Sequence, residues 1–215
     1  MLIYFVAKEG DFFMTKSVVE NVKSRIINHG RGWCFTPKHF RDLDSDTGVR
    51  SALSRLEKDK FIRRLAQGIY DYPREHQTLG ILPPKAEEVA KAIAEKNGIQ
   101  YQPSGAYAAN LIGLSEQVPG RIVFLTNGPS KKIKIGKQEV IFRTATEQSM
   151  HPAGTRVGLV IQAYKNLGKD NIDNVVLNKT RKFLKGTSRS ELVNNLKYAP
   201  QWIRDHIFSI MDVSP

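Results

Sequence analysis

Between residues 15 and 75, three stretches with helical spacing precede two strand-like runs around a glycine turn, and this order constrains the fold more than any other feature. Val18, Val19, Val22, Ile26 and Ile27 recur three and four apart, which places them on one face of a helix. Thr15 stands ahead of them as a cap, and His29-Gly30-Arg31-Gly32 ends the segment with the backbone freedom a C-cap needs. Trp33-Cys34-Phe35 is a short apolar run suited to burial. Thr36-Pro37 pairs a cap with proline at the first helical position, so a short helix is expected to run on through Phe40 and Leu43. Asp44-Ser45-Asp46-Thr47-Gly48 supplies several caps for a third helix, with Val49, Ala52, Leu53 and Leu56 on one side. Residues 61–65 and 69–72 then read as strands joined by Ala66-Gln67-Gly68, and Pro73 ends the pattern.

The remainder is mixed. After a linker, Pro83-Pro84 opens a helix with Glu87 and Glu88 in its first turn, where carboxylates favour the positive end of the helix dipole, and Asn97-Gly98 closes it. Ser104 is placed to cap a small-residue helix through Tyr107, Ala108, Leu111 and Ile112. Residues 121–126 read as a strand, while 131–135 and 138–142 alternate around Gly136-Lys137 as a hairpin. Four helical segments follow. Their markers are Val157, Val160, Ile161 and Tyr164; Val176, Leu177, Phe183 and Leu184; the capping box Ser188-Arg189-Ser190-Glu191; and Ile203, Ile207 and Ile210 after Pro200. The expected fold class is α+β: an N-terminal winged helix-turn-helix over 15–75, a linker over 76–82, and a mixed α/β C-terminal domain over 83–215 ending in several helices. Residues 1–14 are an N-terminal extension; Leu2-Ile3-Tyr4-Phe5-Val6-Ala7 suits a short buried strand or a non-native addition, since Met14 would itself serve as a start.

Charge points to a partner class. The chain carries 33 Lys+Arg against 21 Asp+Glu, a formal net charge of +12, which suits a polyanion. Residues 15–75 hold 13 basic and 8 acidic residues, 76–120 hold 3 and 4, and 121–197 hold 15 and 5. Two basic regions therefore flank a nearly neutral middle. In a winged helix-turn-helix the third helix enters the major groove, which makes Arg50, Ser51, Ser54, Arg55 and Lys58 candidate DNA contacts. Thr36, Lys38 and His39 of the short helix join them, and Arg63, Arg64 and Gln67 form a wing lying along the backbone or a minor groove. The competing reading is that winged helices also serve as protein–protein modules. A second basic surface comprises Lys131, Lys132, Lys134, Lys137 and Arg143 on the hairpin, with Arg181, Lys182 and Lys185 (beside Lys179 and Arg189) in the late helices. It suits further nucleic-acid contact, an acidic protein, or simply a solvated face.

No catalytic constellation is evident. The five histidines, His29, His39, His76, His151 and His206, are dispersed, and none has a partner at metal-ligand spacing, so neither metal nor cofactor is expected. Gly128-Pro129-Ser130-Lys131-Lys132 lacks the spacing of a phosphate-binding loop. Cys34, the single cysteine, reads as a buried structural thiol, and its solitude fits a reducing, cytoplasmic setting. No apolar run approaches the length of a membrane span.

The chain resembles the AbiEi-like antitoxins of bacterial type IV toxin–antitoxin and abortive-infection systems. Phe35-Thr36-Pro37-Lys38-His39-Phe40, Ala52-Leu53-Ser54-Arg55-Leu56 and Ile62-Arg63-Arg64-Leu65-Ala66-Gln67-Gly68-Ile69-Tyr70 carry the first part of the likeness. The segments 103–114 (Pro-Ser-Gly-Ala-Tyr-Ala-Ala-Asn-Leu-Ile-Gly-Leu) and 118–126 (Val-Pro-Gly-Arg-Ile-Val-Phe-Leu-Thr) carry the second. The resemblance implies a two-part protein whose winged helix binds inverted repeats in double-stranded DNA at its own promoter. Its C-terminal domain would then counter a nucleotidyltransferase toxin without a stable complex, and the protein would act as a monomer or as a dimer on DNA. The alternative is a nucleic-acid-processing enzyme in which a winged helix targets a nuclease-like C-terminal domain.

Overall fold

The computed structural model describes residues 17–136 and 138–211, so the N-terminal extension, Thr15 and Lys137 lie outside the described residues. Helix α1 (Val18–His29) is capped by Ser17, two residues after the expected Thr15. Ser17 Oγ accepts from the Glu20 amide at 3.3 Å while the Glu20 carboxylate accepts from the Ser17 amide at 2.8 Å, a reciprocal box that satisfies two amides a helix start leaves bare. Strand β1 (Cys34–Phe35) follows, then a 3-10 turn (Pro37–Phe40) and helix α2 (Asp46–Lys58), where Ser45 Oγ accepts from the Gly48 amide. Val22 and Ile26 of α1 share a core with Val49, Ala52, Leu53 and Leu56 of α2, closed by Phe35 and Phe40. Arg25 fastens α1 to the 3-10 turn: its guanidinium donates to the His39 carbonyl and to both Asp42 carboxylate oxygens, each at 2.6 Å. That bond holds the Asp42 carboxyl down at about 2.

Strands β2 (Arg63–Ala66) and β3 (Ile69–Asp71) form the expected antiparallel hairpin, with a bulge between Arg64 and Ala66. The apolar run around Cys34 contributes a third strand, because β1 pairs with β3 and gives the order β1-β3-β2. Across the start of the stretch expected as a linker, β4 (Glu75–His76) and β5 (Gly80–Ile81) make a small hairpin of their own.

Helix α3 (Ala86–Asn97) ends at Gly98, whose φ of 65° is the left-handed turn that glycine adopts without strain. Beyond it lie β6 (Tyr101–Ser104), α4 (Gly105–Leu111), β7 (Arg121–Thr126), β8 (Lys131–Ile135) and β9 (Gln138–Thr144). These four strands form one sheet in the order β6-β7-β9-β8. The β8–β9 hairpin is as expected, whereas the parallel pairing of β7 with β9 and the strand β6 are not legible in the sequence. Pro103 is tolerated within β6 because that strand lies at the sheet edge, where an amide is not needed on both sides. Ser104 sits at the N-cap of α4, but its hydroxyl donates to Gln162 Oε1 at 3.1 Å instead of closing the helix end.

The last third is helical: α5 (Glu147–Met150), α6 (Arg156–Leu167), α7 (Asn174–Leu184), α8 (Arg189–Leu196) and α9 (Gln201–Met211). Val157, Val160, Ile161 and Tyr164 of α6 pack with Leu184, Leu192, Leu196, Ile203 and Ile207, and with Ala108 and Ala109 of α4. The whole is an α+β structure. No helix among the described residues is long and apolar enough to cross a membrane.

Helix α3 connects the two halves. Val89, Ala90 and Ile93 lie in one core with Cys34 and Ile69 of the first sheet and with Ile122, Phe124, Ile133 and Phe142 of the second. As a result Ile69, Tyr70 and Asp71 are all buried, since β3 has α1 and α2 on one face and α3 on the other. Cys34 is only 3% exposed, and burial, then the charges of Asp71 and Glu88, push its thiol far above its ordinary range. Because the thiolate is the reactive form, native protein is expected to resist a thiol-specific chromogenic reagent and to react stoichiometrically only in denaturant. Rapid labelling of the native chain would contradict this placement.

Candidate nucleic-acid interface

Helix α2 buries Val49, Ala52, Leu53 and Leu56, and its 3.6-residue period turns Thr47, Arg50, Ser51, Ser54, Arg55 and Lys58 to the other side. These six residues line one shallow surface depression, all of them are exposed, and no carboxylate lies among them. All five α2 residues expected at an interface therefore share one solvent-facing strip. Asp46, one turn earlier, is drawn aside by Arg41 at 3.5 Å.

Beside this strip is a groove of about 390 Å³, with the 3-10 turn and the start of α2 on one wall and the β2–β3 turn on the other. Lys38, Arg41, Arg50, Arg64 and Lys96 contribute five cations to its lining, against one carboxylate from Asp46. Gln67 is exposed at the β2–β3 turn, next to Gly68, whose φ is 66°. Lys96 comes from the last turn of α3 and is absent from the sequence-based set. The signal that marks it, proximity to the turn, appears only once α3 has folded against the first sheet. Burial, followed by the like charges of Lys131, Arg64 and Lys38, pulls the Lys96 ammonium below its ordinary range.

Three residues expected to touch DNA are engaged within the protein. Neighbouring strand residues point to opposite faces, so the two adjacent arginines of β2 diverge. Arg63 turns inward: Nε donates to Asp71 Oδ1 at 3.0 Å, and Nη2 donates to Asp71 Oδ2 at 2.6 Å and to the Leu82 carbonyl at 3.1 Å. Arg64 stays exposed. Thr36 is fully buried, and its amide donates to His39 Nδ1 at 3.1 Å. The His39 ring turns toward α3, with Nε2 2.9 Å from Glu95 Oε2. Lys38 remains exposed although its Nζ donates to the Lys96 carbonyl at 2.5 Å.

The second basic set divides too. Lys132 and Lys134 alternate along β8 with the buried Ile133 and Ile135, and with Lys131 they stay exposed on an edge strand, where lysines also discourage pairing with another sheet. Lys131 acts with like charge on Lys96 without lining the groove itself, and Lys134 lines a second depression together with Arg63 and Arg64. Arg143 is exposed on β9. In the late helices, Arg181 Nε donates to the Ile210 carbonyl at 2.7 Å, fastening α7 to α9, and Lys179 Nζ donates to the Gly113 carbonyl at 2.8 Å. Lys182 and Lys185 are exposed, and neither lines the groove or the α2 strip. The sequence-based set thus separates into a contiguous part, from α2 across the groove to β8, and a part on the late helices that does not join it.

Among the described residues, no group of three or more His, Cys, Asp or Glu is arranged to hold a metal ion. No curated protein matches the chain. Residues 21–192, which include the α2 strip, the groove and the four-stranded sheet, match a family of unknown function, DUF6088. On the extent of that match, the chain belongs to the DUF6088 family.

Proposed function

We propose that the chain binds double-stranded DNA through a winged helix-turn-helix, with α2 in the major groove and the β2–β3 turn as the wing. The observation that carries this reading is the α2 strip: Thr47, Arg50, Ser51, Ser54, Arg55 and Lys58 face solvent together without a carboxylate. Arginine reads guanine through two parallel hydrogen bonds in the major groove, and serine hydroxyls reach bases or phosphates. The groove beside the strip supports it, because Lys38, Arg41 and Arg64 can replace counterions along a phosphate backbone that passes from α2 to the wing. The resemblance to AbiEi-like antitoxins supports a location for that DNA, upstream of the protein's own gene, and an autorepressing role. It also supports a task for the second half, countering a nucleotidyltransferase toxin in the cytoplasm.

The test is titration of a duplex from the upstream region across a salt series. With about six phosphate contacts, affinity is expected to fall on the order of a thousandfold between 50 and 200 mM salt. Replacing Arg55 with alanine is expected to cost about 1–3 kcal/mol on the preferred duplex and to relax sequence preference. Binding that ignores salt, or an Arg55→Ala chain with unaltered preference, would count against the assignment of α2.

A further inference from the structure

Resting on the DNA-binding reading, we infer that Lys96 is a positioning residue, which sets the wing at a fixed distance from α2 and so lets the second half of the chain control the first half's grip on DNA. The last turn of α3 is tied to both walls of the groove. On one side, Lys38 Nζ donates to the Lys96 carbonyl at 2.5 Å, and His39 Nε2 lies 2.9 Å from Glu95 Oε2. Both partners belong to the 3-10 turn that leads toward α2, and the first bond satisfies a carbonyl that a helix end leaves bare. On the other side, Lys96 Nζ donates to the Gln67 carbonyl at 2.6 Å, at the tip of the β2–β3 turn. The fit there is close: a side chain begun at Gly68 would bring its Cβ to 3.1 Å from Lys96 Nζ. One residue therefore spans the groove, its backbone held by one wall and its side chain by the other.

The turn needs such a tie. The bulge between Arg64 and Ala66 breaks the register of the ladder just before the tip, so the β2–β3 pairing alone leaves the tip's angle weakly fixed. Lys96 holds this place although Arg64, Lys38 and Lys131 all act on its ammonium with like charge. Of those three cations, the exposed Arg64 and Lys131 stand free to meet a phosphate, while Lys38 spends one donor on the Lys96 carbonyl. Lys96 already spends a donor on the protein and is half-buried, so its part is geometric.

The experiment uses the full chain, a duplex that it enriches from a random pool, and an unselected duplex of equal length. Lys96→Met removes the donor and keeps the stem; Lys96→Arg keeps a charged donor; Lys131→Gln removes a neighbouring charge that has no bond to the turn. Lys96→Met is expected to weaken the selected duplex about tenfold, the worth of one charge-assisted hydrogen bond, and the unselected one by less than about threefold, with the salt slope unchanged. Lys131→Gln is expected to lower the slope by about one and to weaken both duplexes alike. Lys96→Arg is expected to restore most of the selected binding. Without DNA, the backbone amides around Gln67 and Gly68 are expected to exchange faster in Lys96→Met than in the parent chain. A loss of one unit of salt slope with equal weakening of both duplexes would make Lys96 a phosphate contact and overturn the inference. Unaltered affinity for both duplexes, or unaltered exchange at the turn, overturns it too. A parent chain that enriches no duplex overturns the DNA-binding reading itself, and the inference with it.

Discussion

Replacing Arg63 with alanine is expected to destabilise the chain by about 3 kcal/mol, while the same change at the adjacent Arg64 leaves stability within about 0.5 kcal/mol and weakens DNA binding. The difference follows from which way the two side chains face. Asp71 is 1% exposed, and its carboxylate is matched by two hydrogen bonds from Arg63. Without the guanidinium that charge stays in the core with no counterpart, the costly way to break a buried pair. The figure sits at the low end of the range for such pairs, because a third of the Arg63 side chain is open to water, which would partly solvate the orphaned carboxylate. The bond from Arg63 to the Leu82 carbonyl goes as well, releasing the segment that leads into α3. Arg64 makes no ion pair among the described residues and lines the groove with Lys38, Arg50 and Lys96. Its loss is expected to reduce the salt slope by about one. Urea denaturation of both variants, paired with DNA titration at two salt concentrations, separates the two effects. If Arg63→Ala unfolded at the parent midpoint and lost DNA affinity instead, the inward assignment of Arg63 would fail.

The pair also shows how far the sequence could be read. Local signals located nearly every helix: the spacing of Val49, Ala52, Leu53 and Leu56 predicts α2 and, by exclusion, its solvent-facing strip. Two strand-like runs around Gln67-Gly68 predict β2 and β3. The residue inventory at 63 and 64 looks like a doubled cationic contact, because an arginine that serves DNA and one that serves a buried aspartate have the same local pattern. Asp71 itself gives no warning, since a carboxylate at a strand end is ordinarily solvated. Pairings between distant segments were hidden for the same reason. The partner of β1 is fixed by Tyr70 and Asp71, more than thirty residues away, and β6 reads locally as an approach to α4 because Pro103 argues against a strand. Lys96 was missed because its role depends on where the end of α3 lands, and only the shared core around Val89 and Ile93 decides that. Short-range chemistry was legible, and contacts across the α3 junction were not.

That junction makes the second large expectation a loss of folding. A fragment of residues 17–75 carries every α2 contact, yet it is expected to be unfolded or loosely collapsed at 25 °C, with no cooperative urea transition. In the full chain, Ile69 is fully buried and Cys34 nearly so, and Leu65 and Ala66 pack against the same core, to which α3 contributes Val89, Ala90 and Ile93. Exposing these side chains costs about 4 kcal/mol at 1.5–3 kcal/mol for a fully buried aliphatic and less for the others. A domain of about sixty residues has little more than that in total, because so small a unit buries a low fraction of its surface. The fragment also loses the acceptor of Arg63 at Leu82 and the ties from Glu95 and Lys96. Extending it to residue 98 is not expected to restore it, since α3 would then leave bare the side that meets Ile122, Phe124, Ile133 and Phe142. Circular dichroism and urea titration of both fragments beside the full chain provide the check, and a cooperative transition at the full chain's midpoint in either fragment would refute the expectation. If it holds, α2 and the wing exist in working form only while α3 is clamped between the two sheets. On the proposed DNA-binding reading, a partner that pries at the four-stranded sheet would then loosen the grip without touching a single proposed contact.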